Sequence, residues 1–177
     1  RSPLFPYTTL FRSNPMKTLV VGLGNPILSD DGVGVKVAYA VEEALSPNIP
    51  ENLTITEASV GGLRLMELLV GYDRVILIDA IMTEGHDYGH IHELTLDDLR
   101  EITPTEHSTS AHDTSLVTAL DSGIALGLHM PTEFEIIAVE VENIMDFSDE
   151  PTPAVAAAIP IVTEMVLNAL RKEEITN

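Results

Sequence analysis

Two adjacent aspartates, Asp30 and Asp31, sit in a glycine-flanked segment, GLGNPILSDDGVGV, that begins at Gly22. Carboxylates can act as general bases and as hard ligands for divalent cations. One acid in such a loop can cap the following helix and favour its dipole. A second acid beside it suggests that one of the two faces a cation. Two further candidates lie far along the chain: Asp79, which closes the run RVILIDA, and His112 in SAHD. Two carboxylates and one imidazole with open positions make a divalent-metal site. Each has a plainer reading. Asp79 can be a helix cap or a loop hydrogen-bonder, and His107 or Asp113 can stand in for His112. A lone histidine is more often structural. His86, His90 and His92 read as an exposed loop and strand start rather than a ligand set.

Other chemistries fit less well. Gly22 and Gly24 match the first two glycines of a dinucleotide fingerprint, but Ile27 occupies the third position. There the helix must pack closely on the strand. Glu57 lies later than the usual spacing of about 20 residues for a ribose-binding acid. A pyrophosphate wants bare amides at the helix start, where Asp30 and Asp31 would repel it. No HExxH, P-loop or GxSxG pattern occurs. Nothing in the sequence argues for a serine triad on Ser29 or Ser59. The absence of cysteine removes disulfides, a thiol nucleophile and thiolate ligands.

The elements that would position these residues alternate between strand and helix. Lys17 to Leu23 reads as a buried parallel strand, and a helix follows from about Gly32 to Leu45. Leu53 to Ala58 alternates as a second strand, and Leu63 to Val70 is a short helix. Arg74 to Ala80 is the strongest strand signal. Ile91 to Leu94 is a short fourth strand, with one helical turn at Leu96 to Leu99. TPTEHSTS, from Thr103, is a polar loop, followed by a helix over Thr114 to Leu126. Phe134 to Val141 is a strand. Thr152 and Pro153 open the last helix as cap and first helical residue, and Pro160 should kink or divide it. A solvated tail begins at Arg171. The expected fold is α/β, a three-layer α/β/α domain on a mostly parallel, five-stranded sheet. Strand carboxyl ends share one edge of such a sheet, where sites form.

The 177 residues suit a single domain, spanning 16–172 with 173–177 as tail, and 45% are hydrophobic. No apolar run reaches the roughly 18 residues of a membrane span, so membrane insertion is not expected. The net charge of −19 argues against nucleic acid as a partner. Residues 1–15 contain no acid and show no periodicity. PYTTLFRS within them matches the translation of a common sequencing adapter. They are expected to be a non-native extension, with Met16 as the start and a charge of −21 once Arg1 and Arg12 are set aside.

GLGNPILSDDGVGV, LIDA and SAHDTSL, in that order, resemble the maturation endopeptidases of nickel–iron hydrogenases. The match covers nearly all of Lys17 to Lys172, and GxGNxxxxDDGxG is far more specific than a glycine motif alone. In that family the second acid of the pair, the aspartate closing the third strand and the histidine before the next helix bind a metal. The resemblance therefore implies that Asp31, Asp79 and His112 are both the metal ligands and the catalytic residues. Some members carry Glu where this chain has Asp31. The implied activity is removal of a C-terminal peptide from the hydrogenase large-subunit precursor, in the cytoplasm, after nickel insertion. Nickel would arrive with the substrate, because three thiolate-free ligands make a weak nickel site alone. The carboxylate could be a general base on a water near the metal, or substrate binding could simply position the bond. Adjacency in the chain disfavours a shared-proton aspartate pair. A dinucleotide-binding oxidoreductase and a non-catalytic nickel- or precursor-binding module are the alternatives.

Overall fold

RVILIDAI forms β3 (Arg74–Ile81), buried at every position. Continuous apolar, β-branched sequence of this kind belongs to a parallel strand covered on both faces. The computed structural model describes residues 15–59, 62–102 and 113–176. β1 (Thr18–Leu23) is equally buried beside β3. β2 (Leu53–Ala58) and β5 (Glu133–Glu140) flank them, and β4 (Ile91–Leu94) lies at the far edge. The order is β2-β1-β3-β5-β4, parallel throughout except for β4, which runs antiparallel to β5.

Strand alternation assigns the two faces. Val20, Ile76, Ile78, Ile137 and Val139 pack with Val33, Val37 and Val41 of α1 (Val33–Leu45) and with Val155, Val162 and Val166 of α5 (Pro153–Thr176). Residues of the other parity, Leu19, Val21, Val75, Leu77 and Ile136, meet α2 (Leu63–Leu69), α3 (Leu96–Ile102) and α4 (Asp113–Ala125) through Leu65, Leu69, Leu99, Leu116 and Leu120. This is the expected three-layer domain. Each fully buried Leu or Ile contributes about 1.5–3 kcal/mol through removal of apolar surface from water.

Three details differ from the sequence reading. α5 is not divided at Pro160, which sits on its exposed side. There the carbonyl left without an N–H partner can bond to water while the opposite stripe packs. The helix also continues through Arg171 to Thr176 rather than giving way to a tail, as its Arg, Lys and Glu residues favour. α3 runs to Ile102, three residues past the turn read at Leu96 to Leu99, while Thr152 precedes α5 as read, its carbonyl accepting the Ala156 N–H and its hydroxyl donating to Asp30. By length and composition α5 is apolar enough to cross a membrane, although no unbroken apolar run marks it. In this fold its apolar stripe lies against the sheet and α1.

At the amino edge, Asp73 joins three segments. Its carboxylate accepts the Lys17 N–H at 2.8 Å and bonds His129 at 2.9 Å, and its carbonyl accepts the Thr132 N–H. The Lys17 amide, then the His129 side chain, hold its carboxyl below the ordinary range. A carboxyl lowered on folding adds stability above its unfolded pKa and loses it as pH falls through the folded value. Asp73→Asn should therefore lower Tm slightly at pH 7, and the gap to the native chain should close below about pH 4. Thermal unfolding at several pH values measures it. The group is partly exposed, so the effect is that of a screened surface contact.

Candidate active site at the sheet switch point

The chain leaves β1 toward β2 on one side and reaches β3 on the other, so the strand order reverses between β1 and β3. Ligands of open α/β sheets bind at such a switch point, beyond the strand carboxyl ends. Residues 24–32 occupy this position, ending in a 3-10 turn (Ser29–Gly32) that packs against β3 and α1. The glycines give the segment its shape. Gly24 has φ +124°, and a Cβ there would run into the Asp31 carbonyl. Gly22 and Gly34 bring β1 and the first turn of α1 into backbone contact, and a Cβ on Gly34 would strike the carbonyl oxygens of Leu23 and Ile78. Neither oxygen can move without shifting a central strand. Gly34→Ala should cost about 1–3 kcal/mol, a Tm loss of several degrees for a domain this size. An unchanged Tm would show that the close approach is slack.

The two adjacent acids have different roles. Neither caps α1, whose N-cap is Gly32 with no side-chain cap bond. Asp30 is fully buried. Its Oδ1 accepts the Thr152 N–H at 2.6 Å, and its Oδ2 accepts the Glu142 and Asn143 N–H groups at 3.2 and 3.1 Å and the Thr152 hydroxyl at 3.1 Å. It fastens the turn to the 142–152 loop and the start of α5. The same loop meets the turn again through the Leu28–Phe147 bridge, the Ser148 N–H to the Ile27 carbonyl, and Lys36 to the Asp149 carbonyl. Asp31 is only half-buried, and its Oδ2 accepts the Asn25 N–H at 2.7 Å. That bond orients the carboxylate at the switch point.

Asp79 lies on the same edge. Gly22 pairs with Ile78, so Leu23 and Asp79 follow one step nearer the carboxyl end. Asp79 is buried at 3% exposure, and its Oδ1 accepts the Ala80 N–H at 2.8 Å. By strand parity it faces the α2–α4 side. A helix that leads into a parallel strand runs against it, so α4 begins at this carboxyl edge. His112, immediately before α4, lies outside the described residues, as does His107. The structure thus sets the turn that carries Asp31 against β3, whose carboxyl end carries Asp79.

The dinucleotide reading fails on local geometry. The Asp31 carboxylate holds the loop amide that a phosphate would need. Ile27, at the third glycine position, is 56% exposed instead of lying under a helix. Glu57 accepts the Tyr39 hydroxyl, which holds that phenol above its usual range. The serine candidates are turned onto backbone, Ser29 to the Glu150 carbonyl and Ser59 to the Gly24 carbonyl. Two residues escaped the sequence reading. Asp30 as an anchor for the 142–152 loop carries no local signal, because its partners lie 112–122 residues away. Glu140 ends a strand that alternates, yet is only 1% exposed.

Fold and site together define a doubly wound α/β domain whose switch point carries carboxylates instead of phosphate-binding amides. A family model described as hydrogenase maturation protease matches residues 35–169. Hydrogenase 2 maturation protease of Escherichia coli is 27% identical over 161 residues, covering 89% of this chain and 92% of that protein. The hydrogenase expression/formation protein HupD of Rhizobium leguminosarum bv. viciae is 28% identical over 155 residues, covering 88% and 74%. Among solved structures, the hydrogenase maturating endopeptidase HybD of E. coli aligns with a TM-score of 0.76 at 27% identity, covering 89% of this chain and 93% of that one. The chain belongs to the hydrogenase maturation protease family.

Proposed function

We propose that the chain is an endopeptidase that removes a C-terminal peptide from a nickel-loaded hydrogenase large-subunit precursor, and that Asp31, Asp79 and His112 engage the nickel carried by that substrate. The supporting observation is that the turn carrying Asp31 packs against β3 on the carboxyl edge, where Asp79 lies near the strand's end, with Asp30 withdrawn into the fold. The neighbouring anchor bonds and the Asn25 amide restrain the Asp31 carboxylate, which lowers the entropic cost of engaging an ion. Oxygen donors alone favour hard cations, while imidazole suits nickel and thiolates from the precursor would supply the soft ligands. The ion then belongs to the substrate, and its insertion licenses cleavage. A carboxylate freed from the ion can serve as general base toward the water that attacks the scissile carbonyl. The reaction is assigned to the cytoplasm.

Mass spectrometry of a nickel-loaded precursor before and after incubation with the chain tests this reading. The expected result is loss of one C-terminal fragment from the loaded precursor and none from the nickel-free form. Equal cleavage of both forms would remove nickel recognition. Tight binding of the precursor without shortening would point to a non-catalytic module.

A further inference from the structure

A second group of metal-ligating side chains lies away from Asp31. His86, His90 and His92 have their rings in a near-equilateral triangle, with centroids 4.8, 4.7 and 4.7 Å apart. One ligand atom from each falls within 4.8 Å of the others. By sequence they read as an exposed loop and strand start. His86 and His90 are indeed exposed, but His92 is not, and the three converge.

The backbone beneath them is fixed. The Gly89 N–H bonds the Glu140 carbonyl and the Glu140 N–H bonds the His90 carbonyl, both at 2.8 Å, while the His90 N–H closes a turn on Asp87. Gly89 has φ +83°, and a Cβ there would press on the Ala154 backbone at the start of α5. The loop is thereby held against both β5 and α5.

The carboxylate of Glu140 is the second observation. It is buried at 1% exposure and held from three sides. Its Oε1 accepts the Thr83 N–H at 2.5 Å, and its Oε2 accepts the Thr83 hydroxyl at 2.6 Å and lies 3.0 Å from His92 Nε2. Burying a carboxylate is costly unless positive charge lies close by. A histidine that gives one ring nitrogen to a buried carboxylate presents the other for ligation, which is how proteins orient metal-binding imidazoles. His92 meets Glu140 through Nε2, so Nδ1 is the ring nitrogen that would ligate an ion.

We propose that His86, His90 and His92 form a metal site for a borderline divalent transition cation, Ni²⁺, Cu²⁺ or Zn²⁺, oriented by Glu140. Three imidazoles without oxygen or sulfur ligands match that class and reject Mg²⁺ and Ca²⁺. Metal–nitrogen bonds of about 2.0–2.1 Å require the rings to close in slightly, and the exposed His86 and His90 are free to turn. Three protein ligands leave a position open. Cross-strand register puts this site on the same face as Asp79, since Asp79 pairs with Ala138 and Ala138 with His92. Two strand spacings separate them, about 10 Å. The site shares the carboxyl edge of the sheet with Asp31 and Asp79 but uses neither side chain, and it does not depend on the peptidase reading.

Equilibrium dialysis of the chelator-stripped full chain against NiCl₂, ZnCl₂ and MgCl₂ tests the assignment. About one equivalent of nickel or zinc should be retained, and no magnesium. The combined variant Asp31→Asn, Asp79→Asn, His112→Gln should keep that equivalent. His86→Gln with His90→Gln should lose it, with circular dichroism and Tm unchanged in the metal-free protein. Glu140→Gln should weaken it by about 10- to 100-fold. Should that last variant fail to fold, imidazole NMR resonances of the unmodified chain decide the point, because zinc must shift all three rings together. No retained equivalent, retention by the His86→Gln, His90→Gln variant, or loss in the Asp31, Asp79, His112 variant would each overturn the proposal.

Discussion

Asp31→Asn should slow shortening of a nickel-loaded precursor by about 100-fold or more, while the variant keeps its fold. An asparagine is nearly isosteric with aspartate and retains an oxygen to accept the Asn25 N–H, which Asp31 now accepts at 2.7 Å. The turn should therefore persist, and Tm should stay within a few degrees of the native value. What disappears is the negative charge at the switch point and, with it, a ligand and a base. Asp79→Asn should act in the same direction, because its amide oxygen can still accept the Ala80 N–H now bonded at 2.8 Å. Comparing the two variants for precursor retention as well as cleavage separates recognition from chemistry. A variant that still binds loaded precursor but leaves it intact has lost the hydrolytic step. One that no longer distinguishes loaded from nickel-free precursor has lost the sensor. Cleavage at the native rate by either variant would remove that residue from the site.

The sheet was legible because its strands leave unmistakable local patterns. RVILIDA has no polar alternation and could only be central, and LTITEA alternates as an edge strand does. Most boundaries shifted by one residue, α3 ran three residues past Leu99, and α5 began at Pro153 as read but continued past Arg171 to Thr176. Pro160 reads as a breaker in sequence, but the exposed side of a well-packed helix tolerates a missing hydrogen bond. That Asp31 and Asp79 lie toward one edge was legible because parallel topology sends the ends of β1 and β3 the same way, whatever the loop details. The division of labour within the acid pair was not. A carboxylate anchored by amides from 142, 143 and 152 looks, in sequence, like one beside it that faces solvent. The convergence of three imidazoles was hidden for a similar reason. His86 and His90 lie on a loop, and only pairing of β4 with the end of β5 folds them onto His92 and Glu140.

That division of labour gives the second large effect. Asp30→Ala should destabilise the domain by about 3–5 kcal/mol, far beyond any loss from Asp31→Asn. Removing the carboxylate strands three backbone N–H groups, of Glu142, Asn143 and Thr152, and one hydroxyl, all converging on a residue with no exposed surface. A fully buried donor left unsatisfied costs about 1–3 kcal/mol, and these four, on part-buried bonds, cost toward the lower end each. Alanine leaves a small polar void, so a water molecule that recovers part of the loss sets the lower end of the range. Asp30→Asn should fall between, since one amide oxygen keeps part of the acceptor set while its NH₂ meets donors. Thermal and urea unfolding measure this. A change of this size lowers Tm by about 6–20 °C in a domain of this length. Because Asp30 fastens the 142–152 loop to the turn, protease nicking in that loop should increase before global unfolding. Asp31→Asn should show neither change. If instead Asp30→Ala melts like the native chain and Asp31→Asn does not, the two acids have exchanged roles and the switch-point carboxylate is the other one.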